Sequence, residues 1–169
     1  PVQAQGITNA VSVSAGNYAN CAVLDDGTGK CWGQNDTGSV GIGDVGTAIR
    51  TPRTIPGISN LVQIIPAKQA GNHVCGLAAD GSAYCWGPQN YGALGDGAGT
   101  ITSFLPSKVL NIDDFVSIET GRQSTCGLRE NGEIWCWGLN NLQQLGDGTS
   151  DNSFVPVKVS NENDFVQFS

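Results

Sequence analysis

Short stretches of alternating apolar and polar residues recur along the chain at intervals of about fifty residues. Because successive side chains of a strand point to opposite faces of a sheet, alternation with a period of two indicates half-buried β-strands. The pattern therefore predicts strands that repeat. The four stretches are Val11-Ser12-Val13-Ser14, Val62-Gln63-Ile64-Ile65, Val116-Ser117-Ile118-Glu119 and Val166-Gln167-Phe168-Ser169.

A hairpin signal follows each of the first three stretches. Cys-Trp-Gly occurs at 31–33, 85–87 and 136–138, and each copy lies ten residues after another cysteine. Between the two cysteines is a three-residue turn that ends in Gly, the residue that adopts the left-handed conformation of such loops without strain. Each unit therefore holds a hairpin whose second strand ends in Cys-Trp-Gly. The three turns are Asp25-Asp26-Gly27, Ala79-Asp80-Gly81 and Glu130-Asn131-Gly132.

A Gly-rich loop and a proline-bearing segment complete each unit, and we interpret that segment as a fourth strand. Four short antiparallel strands in about fifty residues are typical of a β-propeller blade, which buries its apolar faces by stacking on neighbours. We predict an all-β fold of three such blades, in a single repeat domain over residues 1–169. The units are predicted at 11–61, 62–115 and 116–165, with partial flanking strands at 1–10 and 166–169.

The sequence starts and ends at the same phase of the repeat. A Pro precedes a Val by ten residues four times, at Pro1/Val11, Pro52/Val62, Pro106/Val116 and Pro156/Val166. We therefore expect either a section of a longer array or a chain whose two ends meet another chain. Unpaired strand edges are templates for further strands. The expected partner is accordingly a protein, with self-association through open strand edges as one form of it.

Hairpin geometry also pairs the cysteines. Folding each hairpin about its middle turn residue places the two cysteines opposite each other, with Cα atoms about 4.5–5.5 Å apart, which suits a disulfide. Zinc and redox sites use closer pairs such as C-x2-C, which this sequence lacks. Disulfides persist in oxidising compartments, so a secreted, periplasmic or cell-surface protein is expected. The predicted pairs are Cys21–Cys31, Cys75–Cys85 and Cys126–Cys136.

The charge balance excludes one class of partner. The net charge is −7, and the four Lys and four Arg are scattered along the chain. Nucleic-acid binding needs a basic stripe that displaces counterions from phosphates, so nucleic acid is not an expected partner. No run of about 18 apolar residues occurs, so membrane insertion by a helix is not expected either.

The combination of Cys-Trp-Gly with a later Leu-Gly-Asp-Gly resembles the regulator of chromosome condensation repeat family, in particular its bacterial extracellular type. In the second unit the resemblance is carried by residues 71–77, 80–81, 85–87 and 92–97, and the third unit repeats it from Gly121 to Gly148. The first unit is looser, with Val23 in place of Leu and Ser39-Val40-Gly41-Ile42-Gly43-Asp44 in place of the usual run.

The resemblance implies a seven-bladed β-propeller that acts through loops on one face. Roles known in the family include guanine-nucleotide exchange on a small GTPase and inhibition of β-lactamase by a bacterial relative. Three units cannot close a seven-blade ring, and the family histidine occurs once here, as His73.

The recurring tryptophans and the glycines that follow them are expected to have a structural role. Trp32-Gly33, Trp86-Gly87 and Trp137-Gly138 share one phase, which favours packing inside or between blades over a row of ligand-stacking rings. Asp44, Asp96 and Asp147 lie among glycines. They are expected to accept backbone N–H bonds in turns, with a calcium site around Asp147–Asn152 as the alternative.

Recognition is expected at the loops that vary between units. We predict no enzyme, no cofactor and no metal, since no catalytic motif is visible and a lone histidine lacks an orienting acid and a nucleophile. The leading hypothesis is an extracellular protein-binding or assembly module. The alternatives are a secreted enzyme inhibitor of the β-lactamase-binding propeller type and a polysaccharide-acting enzyme, which would need two suitably spaced carboxylates. The candidate binding residues are Tyr18, His73, Tyr91, Arg122 and Trp135.

Overall fold

A computed structural model of the chain describes residues 2–68 and 71–160, which form three four-stranded antiparallel sheets. The all-β prediction with four strands per unit is confirmed. The first blade comprises β1 (Ala10–Ala15), β2 (Ala19–Leu24), β3 (Gly29–Gly33) and β4 (Ile49–Thr54). The second comprises β5 (Leu61–Pro66), β6 (Val74–Ala78), β7 (Ala83–Gly87) and β8 (Ser103–Lys108). The third comprises β9 (Phe115–Thr120), β10 (Ser124–Arg129), β11 (Ile134–Gly138) and β12 (Ser153–Lys158).

Each blade is a meander in which every strand pairs with the next one along the chain. The first strands of neighbouring blades contact one another, β1 with β5 and β5 with β9. No comparable contact joins the fourth strands of the described blades. The blades therefore fan outwards, with β1, β5 and β9 innermost. The described residues include no helix long and apolar enough to cross a membrane.

The three predicted disulfides are confirmed. Cys21 faces Cys31 in the β2–β3 ladder, and the same register places Cys75 opposite Cys85 and Cys126 opposite Cys136. All three pairs are bonded, with Cα atoms 4.1 Å apart. Each disulfide thus joins the two central strands of one blade.

Each blade has two different faces, one carrying the disulfide and the other carrying the tryptophan. The disulfide face of the first blade packs against the tryptophan face of the second, and the second packs against the third in the same way. The main apolar clusters therefore lie between sheets. In the first junction, Cys21, Val23, Cys31, Val40 and Ile55 meet Leu61, Ile64, Val74 and Trp86.

A buried indole fixes each junction. The Trp86 indole donates its N–H to the Ser39 carbonyl of the first blade (3.1 Å), and Trp137 donates to the Ala93 carbonyl of the second (2.9 Å). Both rings lie directly over a glycine. A Cβ on Gly41 would come within 2.5 Å of the Trp86 ring, and one on Gly95 within 2.8 Å of the Trp137 ring. Only glycine leaves room for these indoles.

One predicted element is absent. A flanking strand was expected in residues 1–10, but residues 2–9 form none, and β1 begins at Ala10. A fourth-strand segment in this fold pairs with the third strand of its own blade, as β4 pairs with β3. Among the described strands, none presents a third-strand edge to residues 2–9. The other flanking segment, 166–169, lies outside the described residues.

Removing one disulfide tests its contribution to stability. We expect the Cys75→Ala/Cys85→Ala variant to lose roughly 2–4 kcal/mol in free energy of unfolding, because the unfolded chain regains the freedom of a loop of about ten residues. Urea unfolding followed by tryptophan fluorescence measures the loss. An unchanged unfolding midpoint would show that the disulfide does not stabilise the fold.

Candidate functional site

The loops before each second strand and after each third strand meet at one end of the blades, which we call the rim. A cleft of about 50 Å³ between the second and third blades is lined by residues that include His73, Tyr91 and Arg122. Tyr18 lines the adjoining junction between the first and second blades. The structure thus brings four of the five predicted binding residues to the rim. The cleft is far smaller than the roughly 300–1,000 Å³ of small-molecule sites, so it offers a surface rather than a ligand pocket.

His73 does not present its side chain to a partner, contrary to the prediction. The imidazole is buried, and its Nε2 lies 3.1 Å from the Thr125 hydroxyl of the third blade. Because Thr125 uses its only hydroxyl hydrogen on the Ala93 carbonyl (3.0 Å), Nε2 of His73 is the donor in their bond. The Ala93 carbonyl therefore accepts from both Thr125 and Trp137, and His73 extends a chain of bonds across this junction.

Burial also changes the acidity of this imidazole. The pKa of His73 is lowered from 6.5 to about 4, because the charged form would lose its hydration inside the junction. His73 is consequently neutral at physiological pH and has a structural role.

Trp135 lies away from the rim and is bound within its own blade. Its indole N–H donates to Glu133 (3.1 Å), and the Arg129 guanidinium lies 5.7 Å from the ring centroid. Arg129 also bonds Asp114 (2.7 Å) and Glu133 (2.9 Å), while Lys158 bonds Glu133 (2.7 Å). Hydrogen bonds from Lys158 and Trp135 lower the pKa of Glu133 to about 2. This network crosses β10, β11 and β12, and sequence reasoning missed it.

Sequence reasoning also missed a buried amide in the loop after each third strand. The side-chain carbonyl of Asn35 accepts the N–H of Val40 (3.0 Å), and Gln89 and Asn140 repeat this bond with Leu94 (3.2 Å) and Leu145 (2.9 Å). The sequence feature that could have revealed these amides is an Asn or Gln two residues after every Cys-Trp-Gly. These bonds shape the loop that holds the glycine beneath the next indole.

The aspartates of the same loops accept backbone N–H bonds, as expected for turn residues. Asp96 accepts from Ala98 (3.0 Å) and Asp147 from Thr149 (2.9 Å), while Asp44 accepts from Val45 (2.8 Å). Within residues 2–68 and 71–160, no three His, Cys, Asp or Glu side chains are grouped in a way that could hold a metal ion.

The tryptophan face of the first blade, defined here by Ala10, Val13 and Trp32, is the largest departure from the repeat. We call it the open face. Val13 is 72% exposed, whereas the equivalent Ile64 and Ile118 are 3% and 0% exposed because the preceding blade covers them. Trp32 is only partly buried, unlike the other two tryptophans of its phase.

Two sequence profiles of the regulator of chromosome condensation (RCC1) repeat match the chain. One matches residues 80–128 and 131–169, and the other matches 10–39 and 115–144. The chain belongs to the regulator of chromosome condensation repeat family. Among curated relatives, it is 30% identical to human E3 ubiquitin-protein ligase HERC2, over 94% of this chain and 3% of that protein. It is 25% identical to the ultraviolet-B receptor UVR8 of Arabidopsis thaliana, over 94% of this chain and 36% of that one.

Solved structures superpose on the three blades and show the same fold. Prp20p of Saccharomyces cerevisiae superposes with a TM-score of 0.80 at 22% identity, over 92% of this chain and 39% of that one. Human WBSCR16 superposes with a TM-score of 0.79 at 22% identity, over 94% of this chain and 41% of that one. The three RCC1-repeat blades therefore span about two fifths of these structures, and a much smaller share of HERC2.

The buried His73 predicts a pH dependence of stability. The folded pKa lies below the unfolded value, so the unfolded chain binds the additional proton between these two pKa values. We expect the free energy of unfolding to fall between about pH 6.5 and pH 4, by roughly 3 kcal/mol from this group alone.

The matched variant is His73→Ser, which takes the residue of the equivalent position Ser124. Carboxylates titrate in both proteins, so the difference between their pH–stability curves isolates His73. Chemical unfolding at several pH values measures the two curves. Parallel curves from pH 7 to pH 4 would contradict the assignment.

Proposed function

We propose that this chain is a non-enzymatic, extracellular assembly module, a section of β-propeller that docks on a further blade through the open face of its first blade. One observation carries the proposal. The same apolar positions are covered by a preceding blade in the second and third units, whereas in the first unit Ala10 and Val13 are exposed and Trp32 is only partly buried. Apolar side chains that are exposed together on one face of a folded domain mark an interaction site when they form a large patch.

The contact that the open face offers is face-to-face. The sequence suggested association through open strand edges, but the described blades meet through their faces and share no hydrogen-bonded strand ladder. We therefore assign the association to the open face. Covering Val13 alone would contribute about 1.5–3 kcal/mol.

A bulge on the same strand provides an internal comparison. Val11 falls at an irregularity of the β1–β2 register and is 67% exposed. The equivalent Val62 and Val116 are 52% and 51% exposed, although both belong to blades that have a covered tryptophan face. The exposure of Val11 and its equivalents thus does not depend on a neighbouring blade. The exposure of Val13 does, since its equivalents are buried where a blade precedes them.

The polar groups of the rim support binding rather than catalysis. His73 and Thr125 are used in bonds between blades, and the Ser39 hydroxyl donates to the Asn72 carbonyl of the second blade (2.6 Å). These groups hold the scaffold together. The exposed side chains of the rim include Tyr18, Tyr91 and Arg122, residue types suited to protein contact.

The extracellular setting rests on the cysteines. Every cysteine of the chain is used in a disulfide within one hairpin, and such bonds persist outside the reducing cytosol. Cysteine pairs ten residues apart in each repeat support membership of the bacterial extracellular type within the RCC1-repeat family.

A pair of valine variants tests the proposal. We expect the 169-residue chain to show a mass above that of the monomer as its concentration rises, in size-exclusion chromatography with light scattering. Val13→Asp should weaken this association about tenfold or more, because it places a charge in the covered face. Val11→Asp makes the same change two residues away and should leave the association unchanged. A wild-type chain that stays monomeric at its highest soluble concentration would overturn the proposal.

A further inference from the structure

We propose that a groove at the end of the blades opposite the rim binds a peptide segment in which apolar side chains are flanked by lysine or arginine. The groove lies between the first and second blades and has a volume of about 510 Å³. We call it the turn groove, and it is lined by residues 11, 24–27, 60–62 and 79. Val13 and Trp32 of the open face do not line it, so this binding is independent of the docking proposed above.

Backbone contacts between the two blades build the turn groove. The turn between β2 and β3 lies against the start of β5, where the Leu61 N–H donates to the Gly27 carbonyl (3.0 Å). Gly27 has φ +77°, and a Cβ on it would come within 2.7 Å of the Asn60 Cα. The two walls are thus held together before a partner arrives. A preformed groove loses little conformational entropy on binding.

The turn groove offers exposed apolar surface. Its lining includes Val11 and Val62, which are both exposed, together with Leu24 and Leu61, which are buried. Two exposed branched side chains in one groove favour a partner that covers them, since removing apolar surface from water is favourable. The volume falls within the roughly 300–1,000 Å³ of binding clefts, so the groove has room for several side chains of a partner.

Short side chains keep the turn groove open. Its wall in the second blade includes Ala79, and the equivalent residue of the third blade is Glu130. The neighbouring Ala78 likewise corresponds to Arg129, whose guanidinium bonds Asp114 (2.7 Å). Two alanines in place of these long, charged side chains leave space at this end of the second blade.

Charge determines which partner the turn groove fits. The carboxylates of Asp25 and Asp26 line it, and no described lysine or arginine does. Within residues 2–68 and 71–160, neither carboxylate forms an ion pair. The Thr28 N–H donates to Asp26 (2.9 Å) and lowers its pKa, so this carboxylate is charged at neutral pH. Lys30, the cation nearest in the sequence, bonds the Gly6 carbonyl (3.1 Å).

A peptide with lysine or arginine beside apolar residues meets both requirements. Its apolar side chains would cover Val11 and Val62, while the flanking cations meet Asp25 and Asp26. A metal ion alone would leave the valines in water. A phosphate or an anionic lipid headgroup would be repelled by the two carboxylates. The turn groove therefore fits a cationic, partly apolar peptide best.

An NMR titration of the isotope-labelled chain with the acetylated, amidated peptide Lys-Leu-Leu-Lys tests the inference. We expect the amide resonances of residues 25–27 and 60–62 to shift as the peptide binds. The peptide Glu-Leu-Leu-Glu should bind about tenfold more weakly or worse, because its charges are repelled. Lys-Ser-Ser-Lys should also bind about tenfold more weakly, because it covers no apolar surface. No shift at these residues, or equal binding by either control peptide, would overturn the inference.

A matched pair of valine variants locates the apolar contact. Val62→Ser should weaken binding of Lys-Leu-Leu-Lys about fivefold, because it removes apolar surface from the turn groove. Val116→Ser makes the same change at the equivalent position of the third blade, where the valine is similarly exposed but lies outside the groove. It should leave the affinity unchanged. Equal weakening by the two variants would overturn the inference.

A pair of charge variants locates the ionic contact. Asp26→Asn should weaken binding about threefold at low ionic strength. The amide still accepts the Thr28 N–H, as Asn131 accepts the Glu133 N–H in the third blade (3.0 Å). Asp151→Asn removes the same charge at the rim and should have no effect, so an equal loss in both variants would contradict the assignment.

The open-face variant Val13→Asp separates this inference from the proposed function. It should bind the peptide as the wild-type chain does, and loss of peptide binding in this variant would overturn the inference. A wild-type chain that binds the peptide but stays monomeric removes the proposed function and leaves the turn groove.

Discussion

Each junction between blades depends on an indole buried over a glycine of the preceding blade, because no backbone ladder joins the sheets. The Trp86 and Trp137 rings fill the space that Gly41 and Gly95 leave, and each N–H finds a carbonyl two residues before that glycine. An amide side chain within the loop, such as Asn35 or Gln89, holds the glycine in place. The position of one blade on the next is set by these side chains together with backbone hydrogen bonds between blades, such as those from Leu61 N–H to the Gly27 carbonyl (3.0 Å) and from Phe115 N–H to the Gly81 carbonyl (3.1 Å).

Because of this arrangement, an isolated blade cannot bury the apolar side chains of both its faces. The second blade has a neighbour on each side, and its faces are buried. In the first blade no described blade covers Val13, which is exposed, or Trp32, which is only partly buried, although their equivalents are buried. Membership of the RCC1-repeat family and the coverage of about two fifths of Prp20p agree with a section of a larger array.

Much of the fold could be predicted from the sequence because its determinants are local and repeated. The hairpin turns and the register of Cys75 with Cys85 follow from spacing alone, since a hairpin pairs residues symmetrically about its turn. The role of His73 could not be predicted, because its partner Thr125 lies 52 residues away in another blade. The contacts of Trp135 escaped prediction for a related reason. Its partners Arg129 and Glu133 are in turn held by Asp114 and Lys158, which the sheet brings in from outside the hairpin.

The short span of each disulfide has a consequence for how the chain matures. The bonded cysteines are ten residues apart, and each pair closes within a single meander that contacts only adjacent units. Loop closure is favoured for near neighbours, so the native thiol partners are also those that meet most readily during synthesis. Oxidation can therefore be completed one unit at a time as the polypeptide emerges, before the next cysteines are available for mispairing.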